Sequence, residues 1–377
     1  MNNVPAFSLT QQNQSLKKEL NKTVNEVIDS GMFILGKNVE SFEEEIAKYC
    51  GSKLGIGVAN GSDALYLALL ASGVGPGDEV ITTPFTFFAT AGSVQRVGAR
   101  PVFVDIDPET YNINPYLIEK KITTRTKAII PVHMYGCPAD MGYIMELASK
   151  YHLKVIEDTA QALGAKYKGK VVGAIGDAGC ISFFPTKNLG AFGDGGMVIT
   201  SSEEIAEKVR LLRVHGAKPR YYHHIIGCNS RLDELQAAIL RVKLPYLEMW
   251  NELRQNVARL YNMFLEGFNK LGHEVIKLPI EPAYAYHVYH QFTVRFSRRD
   301  ELRAFLKEKG IGTSVYYPLP LHVQQAFTHL GYRQGDFPET EAACREVLSL
   351  PMFPELTEEE IRYIADQLLK FFEEKVQ

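Results

Sequence analysis

The sequence predicts an α/β protein with a mostly parallel central sheet, helices on both faces, and a smaller α+β domain at the C-terminal end. Two observations carry this reading. Across the first two-thirds of the chain, short runs rich in Val and Ile alternate with stretches whose apolar residues recur every three or four positions. The short runs lack polar alternation, as strands covered on both sides do, and repeated strand–helix–strand units set such strands parallel. From about Leu232 the texture changes to a long helical stretch followed by separate strand and helix patterns.

Taken in order, Leu16, Leu20, Val24 and Val27 mark a first helix that Gly31 stops. Val39, Phe42, Ile46 and Tyr49 mark a second, with Asn38 as its N-cap and Gly51 at its end. A strand from Leu54 to Val58 leads into a helix from Asp63 to Ala71, with Gly73 behind it. Further strands are expected at Glu79 to Thr82, Pro101 to Asp105, Lys127 to Val132, Lys154 to Glu157, Gly179 to Phe184 and Gly196 to Thr200. Helical patterns lie at Thr86 to Val97, Pro115 to Ile122, Met141 to Tyr151 and Glu203 to Val214. No helix separates 179–184 from 196–200, so those two strands are expected to pair antiparallel.

The helical stretch from Leu232 runs to about Leu271 and is broken at Pro245. Strands are expected at Glu274 to Leu278 and Tyr289 to Phe296, and helices at Arg299 to Lys309 and Glu358 to Glu374. The boundary is placed near residue 250, giving a large domain over 1–250 and a smaller one over 251–377.

The 377 residues are 46% hydrophobic and 23% charged, which fits a globular chain and not a disordered one. Lys and Arg total 41 against 44 Asp and Glu, a net charge of −3, so no basic excess is available to neutralise nucleic-acid phosphates. The longest apolar runs are strand-sized, and Met1 to Gln14 lacks the charged-then-apolar order of a signal peptide, so a cytoplasmic protein is expected. Cys50, Cys137, Cys180, Cys228 and Cys344 are scattered and odd in number, a poor disulfide or zinc framework, and read as small buried hydrophobes. No metal site is expected.

Ligands of an open parallel sheet sit beyond the carboxyl ends of its strands, and three such ends carry unusual residues. At Asn60-Gly61-Ser62-Asp63, backbone amides open at a helix N-terminus suit an anion, although a plain N-cap by Ser62 or Asp63 explains the same residues. At Glu157-Asp158, an acidic pair closes an apolar strand, either to hold a cation such as a protonated ring nitrogen or to cap a helix. The third is Ser182-Phe183-Phe184-Pro185-Thr186-Lys187, where a lone lysine follows a strand inside a glycine-rich turn. A desolvated lysine loses affinity for its proton and becomes a nucleophilic amine. A phosphate cradle, a cation-holding carboxylate and a reactive lysine are together what pyridoxal phosphate requires.

The chain resembles the DegT/DnrJ/EryC1/StrS family of sugar aminotransferases, which share the fold-type I architecture of aspartate aminotransferase. The matching stretches include NGSDAL at 60–65, PVFVDID at 101–107, EDTAQALGA at 157–165, SFFPTKNLGAFGDGG at 182–196, GCNSRLDELQAAIL at 227–240 and YPLPLHVQQAF at 317–327. The resemblance implies that Lys187 forms the Schiff base with pyridoxal 5'-phosphate and moves the proton, while Asp158 pairs with the ring nitrogen. It further implies that Gln161, one helical turn on, faces the ring oxygen, and that Phe87 stacks on the ring while Phe85 and Phe88 belong to the core. Gly61, Ser62, Asp63 and Ser182 would hold the phosphate, completed by Asn229 from the other subunit of a homodimer; a turn or cap role for Asn229 stays open. Arg220, Tyr222, His223, Tyr317 and His322 fall where the family contacts its nucleotide-sugar, and each also suits a structural role.

The activity implied is transfer of an amino group from glutamate, through pyridoxamine 5'-phosphate, to C3 of a dTDP-3-keto-6-deoxyhexose. UDP-linked 3-keto sugars and amination at C4 stay open, as does aromatic chemistry like that of AHBA synthase. Sugar dehydratases of the same fold carry histidine in place of the lysine, and Lys187 argues against them. A regulatory, non-catalytic role is the alternative from a different class.

Overall fold

The computed structural model describes residues 3–265 and 276–375. The N-terminal part holds α1 (Thr10–Ser15), α2 (Lys17–Ser30), α3 (Lys37–Cys50), β1 (Leu54–Val58), α4 (Gly61–Ala71), β2 (Glu79–Thr82), α5 (Phe88–Arg96), β3 (Arg100–Phe103), α6 (Pro115–Ile118) and β4 (Thr126–Ile129). It continues through α7 (Met141–Tyr151), β5 (Lys154–Asp158), β6 (Lys166–Tyr167), β7 (Lys170–Val171), β8 (Ala178–Ser182), β9 (Gly196–Thr200), α8 (Glu203–Leu212), α9 (Glu234–Lys243) and α10 (Leu247–Leu265). The C-terminal part adds β10 (Ala285–Tyr286), β11 (Phe292–Arg295), α11 (Arg299–Glu308), α12 (Pro338–Glu346), β12 (Val347–Leu350) and α13 (Glu358–Lys375).

Seven strands form the main sheet in the order β1-β9-β8-β5-β4-β2-β3. The pairs β2–β3, β2–β4, β4–β5 and β5–β8 are parallel, whereas β9 runs antiparallel to both β8 and β1. The antiparallel pairing of β8 with β9 is the one the missing helix implied. Its consequence is that β1 runs the same way as β8, so Val58 and Ser182 flank Gly196 at one end of the sheet. All the strand ends that carry unusual residues therefore open on the same edge.

One face of the sheet packs α4, α5 and α8 through Leu65, Leu69, Val94 and Val209; another core gathers α2, α3 and α9 around Phe42, Phe183 and Leu240. A separate C-terminal core holds Tyr261, Phe292, Leu306, Leu348 and Ile364, and includes Val4. α10 passes between them: Leu247 and Trp250 lie in the core with α9, while Val257, Ala258 and Tyr261 lie in the C-terminal one. Val4 is held there by backbone bonds, donating to Gly310 O at 2.8 Å and accepting from Gly312 N at 2.8 Å.

Several expectations are corrected. Asn38 is not the N-cap of α3; Gly36 is, and the orphan amides of Gly36 and Val39 donate to the buried carboxylate of Glu234 at 3.0 and 3.1 Å. Asn38 N donates to the same carboxylate, so a side chain from α9 replaces the local cap. The strand expected over Tyr289 to Phe296 is limited to β11, which pairs with β12. α12, β12 and the small sheet β10-β6-β7 had no counterpart in the sequence reading. Of the strand expected at Glu274 to Leu278, Glu274 and Val275 lie outside the described residues, and Lys277 makes one bridge to Arg295. The end of the long helical stretch, 266–271, also lies outside them. Pro245 does break that stretch, at a single 3-10 turn between α9 and α10. The five cysteines are unpaired, four of them buried.

Candidate active site

β5 ends in Glu157 and Asp158, and the two-residue period of a strand sends their side chains to opposite faces. Glu157 points away from the sheet edge into a buried arrangement, where it accepts the amides of Gly173, Ile175 and Gly176 at 2.7–2.8 Å and faces His133 Nε2 at 3.1 Å. Because His133 Nδ1 accepts from Ala139 N at 3.0 Å, its proton sits on Nε2 and is donated to Glu157. Glu157 is thus consumed structurally.

Asp158 is the carboxylate left at the mouth. Its Oδ2 accepts the Thr90 hydroxyl at 2.8 Å and its Oδ1 the amide of Ala160 at 3.2 Å. Burial pushes its carboxyl above the ordinary range, while the Thr90 hydroxyl, the Ala160 amide and the Lys187 charge pull it back. Thr90 has only one proton, which goes to Asp158, so Thr86, 2.9 Å away, must donate to Thr90. The result is a buried relay from Thr86 through Thr90 to Asp158.

Lys187 lies in the turn after β8, its amide donating to Phe184 O at 2.8 Å. The turn returns tightly: a Cβ on Gly190 would sit 2.2 Å from the Pro185 carbonyl oxygen, so only glycine fits there. The side chain is half-buried, and its amine is desolvated. That burial lowers its pKa to about 8, against an upward pull from Asp158. At pH 7.5 such an amine is neutral about a quarter of the time, some two orders of magnitude more than an ordinary lysine. This is a nucleophile at neutral pH.

The phosphate-type cradle forms where three strand ends converge. A Cβ on Gly61 would meet Ser182 Cβ at 2.7 Å, and one on Gly196 would lie 2.3 Å from the Asn60 carbonyl carbon. Glycine at both places lets the N-terminus of α4 come up against Ser182. The cap of α4 is neither Ser62 nor Asp63 but Asn60, whose Oδ1 accepts the Asp63 amide at 2.8 Å. The Asp63 amide is therefore already engaged, and its carboxylate pairs with Arg96 at 2.6 Å. Gly61 N, Ser62 N and Ser182 Oγ are the donors turned to this corner.

Gln161 follows in a turn, not in a helix as its spacing suggested, because Thr159 bonds back to Cys180 O through both its amide and hydroxyl. Its Oε1 accepts the Tyr135 amide at 2.8 Å and its Nε2 donates to the Tyr317 hydroxyl at 3.1 Å. Tyr317 is thereby brought beside Asp158, which adds to burial in raising the phenol's pKa. Phe87, 57% exposed, stands 6.3 Å from the Tyr317 ring, while Phe85 is buried as expected. Phe88 departs from the core reading: it is 48% exposed and leans on Phe327.

The remaining positions lie apart. Arg220, Tyr222, His223 and Asn229 are exposed on the segment after α8, which is bonded to itself and to the helix end, as in His223 Nδ1 to His215 O at 2.9 Å and Lys218 N to Tyr222 O at 2.9 Å. Ile226 beside them is 95% exposed. His322 is 1% exposed; it faces Glu341 at 3.1 Å and packs against Phe337, so it supports its segment from within. Sequence reasoning missed Thr86, Thr90 and Tyr135, whose only signal is polar side chains among apolar neighbours.

The DegT/DnrJ/EryC1/StrS aminotransferase family profile matches residues 14–369. The chain belongs to that family. It is 57% identical to a Geobacillus stearothermophilus protein named pleiotropic regulatory protein, over 98% of this chain and 99% of that one. It is 48% identical to a UDP-N-acetyl-3-dehydro-alpha-D-glucosamine 3-aminotransferase of Acidithiobacillus ferrooxidans, over 96% of each. It is 42% identical to the Streptomyces venezuelae dTDP-3-amino-3,4,6-trideoxy-alpha-D-glucose transaminase, over 98% of this chain and 96% of that one. The crystal structure of S. venezuelae DesV, in complex with a ketimine intermediate, superposes with a TM-score of 0.96 at 42% identity and covers both chains fully. The fold is thus the fold-type I aminotransferase architecture. No helix of the described residues is long and apolar enough to cross a membrane.

Proposed function

We propose that this protein is a pyridoxal-phosphate-dependent aminotransferase that moves an amino group from glutamate to C3 of a nucleotide-linked keto-sugar. The observation that carries the reading is the desolvated Lys187 amine facing the buried Asp158 carboxylate at the end of the sheet. The donor set fits the cofactor: two unengaged amides and a hydroxyl at one corner, a carboxylate at the end of β5, and a desolvated amine that interacts with that carboxylate. When bound, pyridoxal phosphate supplies an electron sink for breaking and making bonds at the amine-bearing carbon.

The chain's own groups do the rest. Gly61 N, Ser62 N and Ser182 Oγ would bind phosphate, helped by the positive end of α4. Asp63 would contribute through the helix end and not through its amide. Asp158, steadied by Thr90, would keep the proton on the ring nitrogen; its raised affinity for protons in isolation becomes useful once a cation opposes it. Lys187 Nζ would take a proton from the donor carbon and return it to the neighbouring carbon, which a pKa near neutrality permits. Phe87 offers an aromatic face to the ring, and Gln161, held by Tyr135 and Tyr317, a polar one.

A homodimer would bring Asn229, Arg220, Tyr222 and His223 of one copy to the mouth of the other, which accounts for their exposure. Tyr317 would meet the sugar from the same chain, with His322 fixing its segment. C3 is favoured over C4 because the names of both aminotransferase relatives place the nitrogen there. The dTDP-linked 3-keto-6-deoxyhexose is the first substrate to try. A UDP-linked 3-keto sugar is the second reading, favoured by the 48% identical relative. A regulatory role, suggested by the name of the 57% identical relative, leaves the Lys187–Asp158 pair without purpose.

The test is to incubate purified protein with pyridoxal phosphate, glutamate and a panel of dTDP- and UDP-linked keto-sugars, following amino-sugar formation by mass spectrometry. A visible absorption band that glutamate bleaches, and one sugar aminated well above the others, are the expected results. A protein that binds no cofactor and aminates nothing would sink the proposal.

A further inference from the structure

The residue after the reactive lysine is gripped from two sides. Asn188 is 5% exposed, and its Nδ2 donates to Asn251 Oδ1 on α10 at 2.8 Å and to Val288 O at 3.4 Å. A carbonyl can only accept, so Nδ2 must face Val288 and Oδ1 must face His290, 3.0 Å away. His290 Nδ1 therefore carries its proton and donates. Burial, with Lys187 and Arg254 nearby, keeps that ring neutral by pushing its pKa far down. Asn251 is fixed in turn, its Nδ2 donating to Leu163 O at 3.2 Å, and Arg254 Nη1 holds the His290 carbonyl at 3.3 Å. Every polar atom of the Asn188 side chain is used. Buried Lys243 closes the far side of the same turn by donating to the carbonyl of Gly190, two residues on from Asn188, at 2.8 Å.

We propose that Asn188 is a positioning residue for Lys187: by bonding to α10 and to the segment before β11 together, it fixes the loop that carries the reactive amine. The inference rests on the reading of Lys187 as the amine that does the chemistry. Asn188 touches no reacting atom. Its effect is to hold the turn against the protein so that Lys187 stays desolvated, facing Asp158 and His290 and not water. Because one bond goes to α10 and another to the C-terminal part of the chain, a shift between those elements reaches the lysine through a single side chain.

The test uses the cofactor-free protein. Small-reagent acetylation of Lys187, quantified by peptide mass spectrometry across a pH series, gives the midpoint at which its amine becomes free; for the unaltered protein the expected midpoint is about 8, well below that of an ordinary lysine. In Asn188→Ala the loosened loop admits water, and the midpoint is expected to rise by about one unit, a roughly tenfold loss of free amine at pH 7. Labelling of exposed Lys22 should not change. A folded Asn188→Ala protein with an unmoved Lys187 midpoint overturns the proposal. If circular dichroism shows that variant unfolded, Asn251→Ala removes one bond of the three and should give a smaller rise; an unmoved midpoint there overturns it equally. A shifted midpoint in a protein that aminates no sugar leaves the clamp standing and removes the functional reading instead.

Discussion

Replacing Thr90 by Val tests the electrostatics of the site without touching any group expected to meet substrate. Thr90 and Val have nearly the same shape, and Thr90 is fully buried. The change deletes the hydroxyl that donates to Asp158 at 2.8 Å, a hydrogen bond to a charged acceptor worth about 1.5–3 kcal/mol. Losing that bond removes a pull toward the ionised form, so the already raised Asp158 carboxyl should climb further. Its neighbour Thr86 also loses its acceptor, a cost that does not depend on pH.

The sign follows from linkage. A carboxyl whose folded pKa lies above its unfolded one destabilises the fold when ionised, and that penalty disappears as pH falls through the folded pKa. Thr90→Val enlarges the penalty, so its deficit against the unaltered protein is wider at pH 8 than at pH 5. Urea titrations of the cofactor-free protein at both pH values measure it. A deficit equal at the two pH values, or wider at the lower, refutes the reasoning that Thr90 stabilises an ionised Asp158.

Other predictions follow from the same physics. Glu234→Gln keeps the size of the side chain that caps α3 but removes its charge, and should lower stability by about 1–2 kcal/mol in urea with little effect on cofactor binding. Mixing inactive Lys187→Ala and Asn229→Ala subunits should restore up to about a quarter of full activity, since half the random dimers then carry one intact shared site. If mixing restores nothing although mass spectrometry shows mixed dimers, Asn229 does not serve the partner's site.

The parts of the molecule legible in the sequence are those set by local pattern. Leu54–Val58, Glu79–Thr82 and Gly196–Thr200 read to the residue because each is an apolar run bounded by turn formers. Lys187 and Asp158 stand out because a charged residue at the end of a buried strand is conspicuous. What stayed hidden depends on distant partners. Asn188 is 63 residues from Asn251 and 102 from His290, and Thr90 is 68 from Asp158. Asn38 looks like a cap until Glu234, 198 residues from Gly36, takes over that helix end. α12 was missed because Pro338–Glu346 is largely polar and its buried face, Thr340, Glu341, Ala343 and Cys344, carries no large apolar side chain to mark a helical period.

The backbone bonds that tie Val4 to Gly310 and Gly312 have a consequence for how the protein is made. A ribosome adding about 5–20 residues per second reaches Gly310 tens of seconds after it passes Val4. Through that interval the segment has no partner, while the α/β part behind it can already complete its sheet with β9. The C-terminal core therefore closes late, around a segment synthesised long before it. A bulky fusion placed next to Val4 should slow that last step more than the same fusion beyond α13, and refolding rates of the two would show the difference.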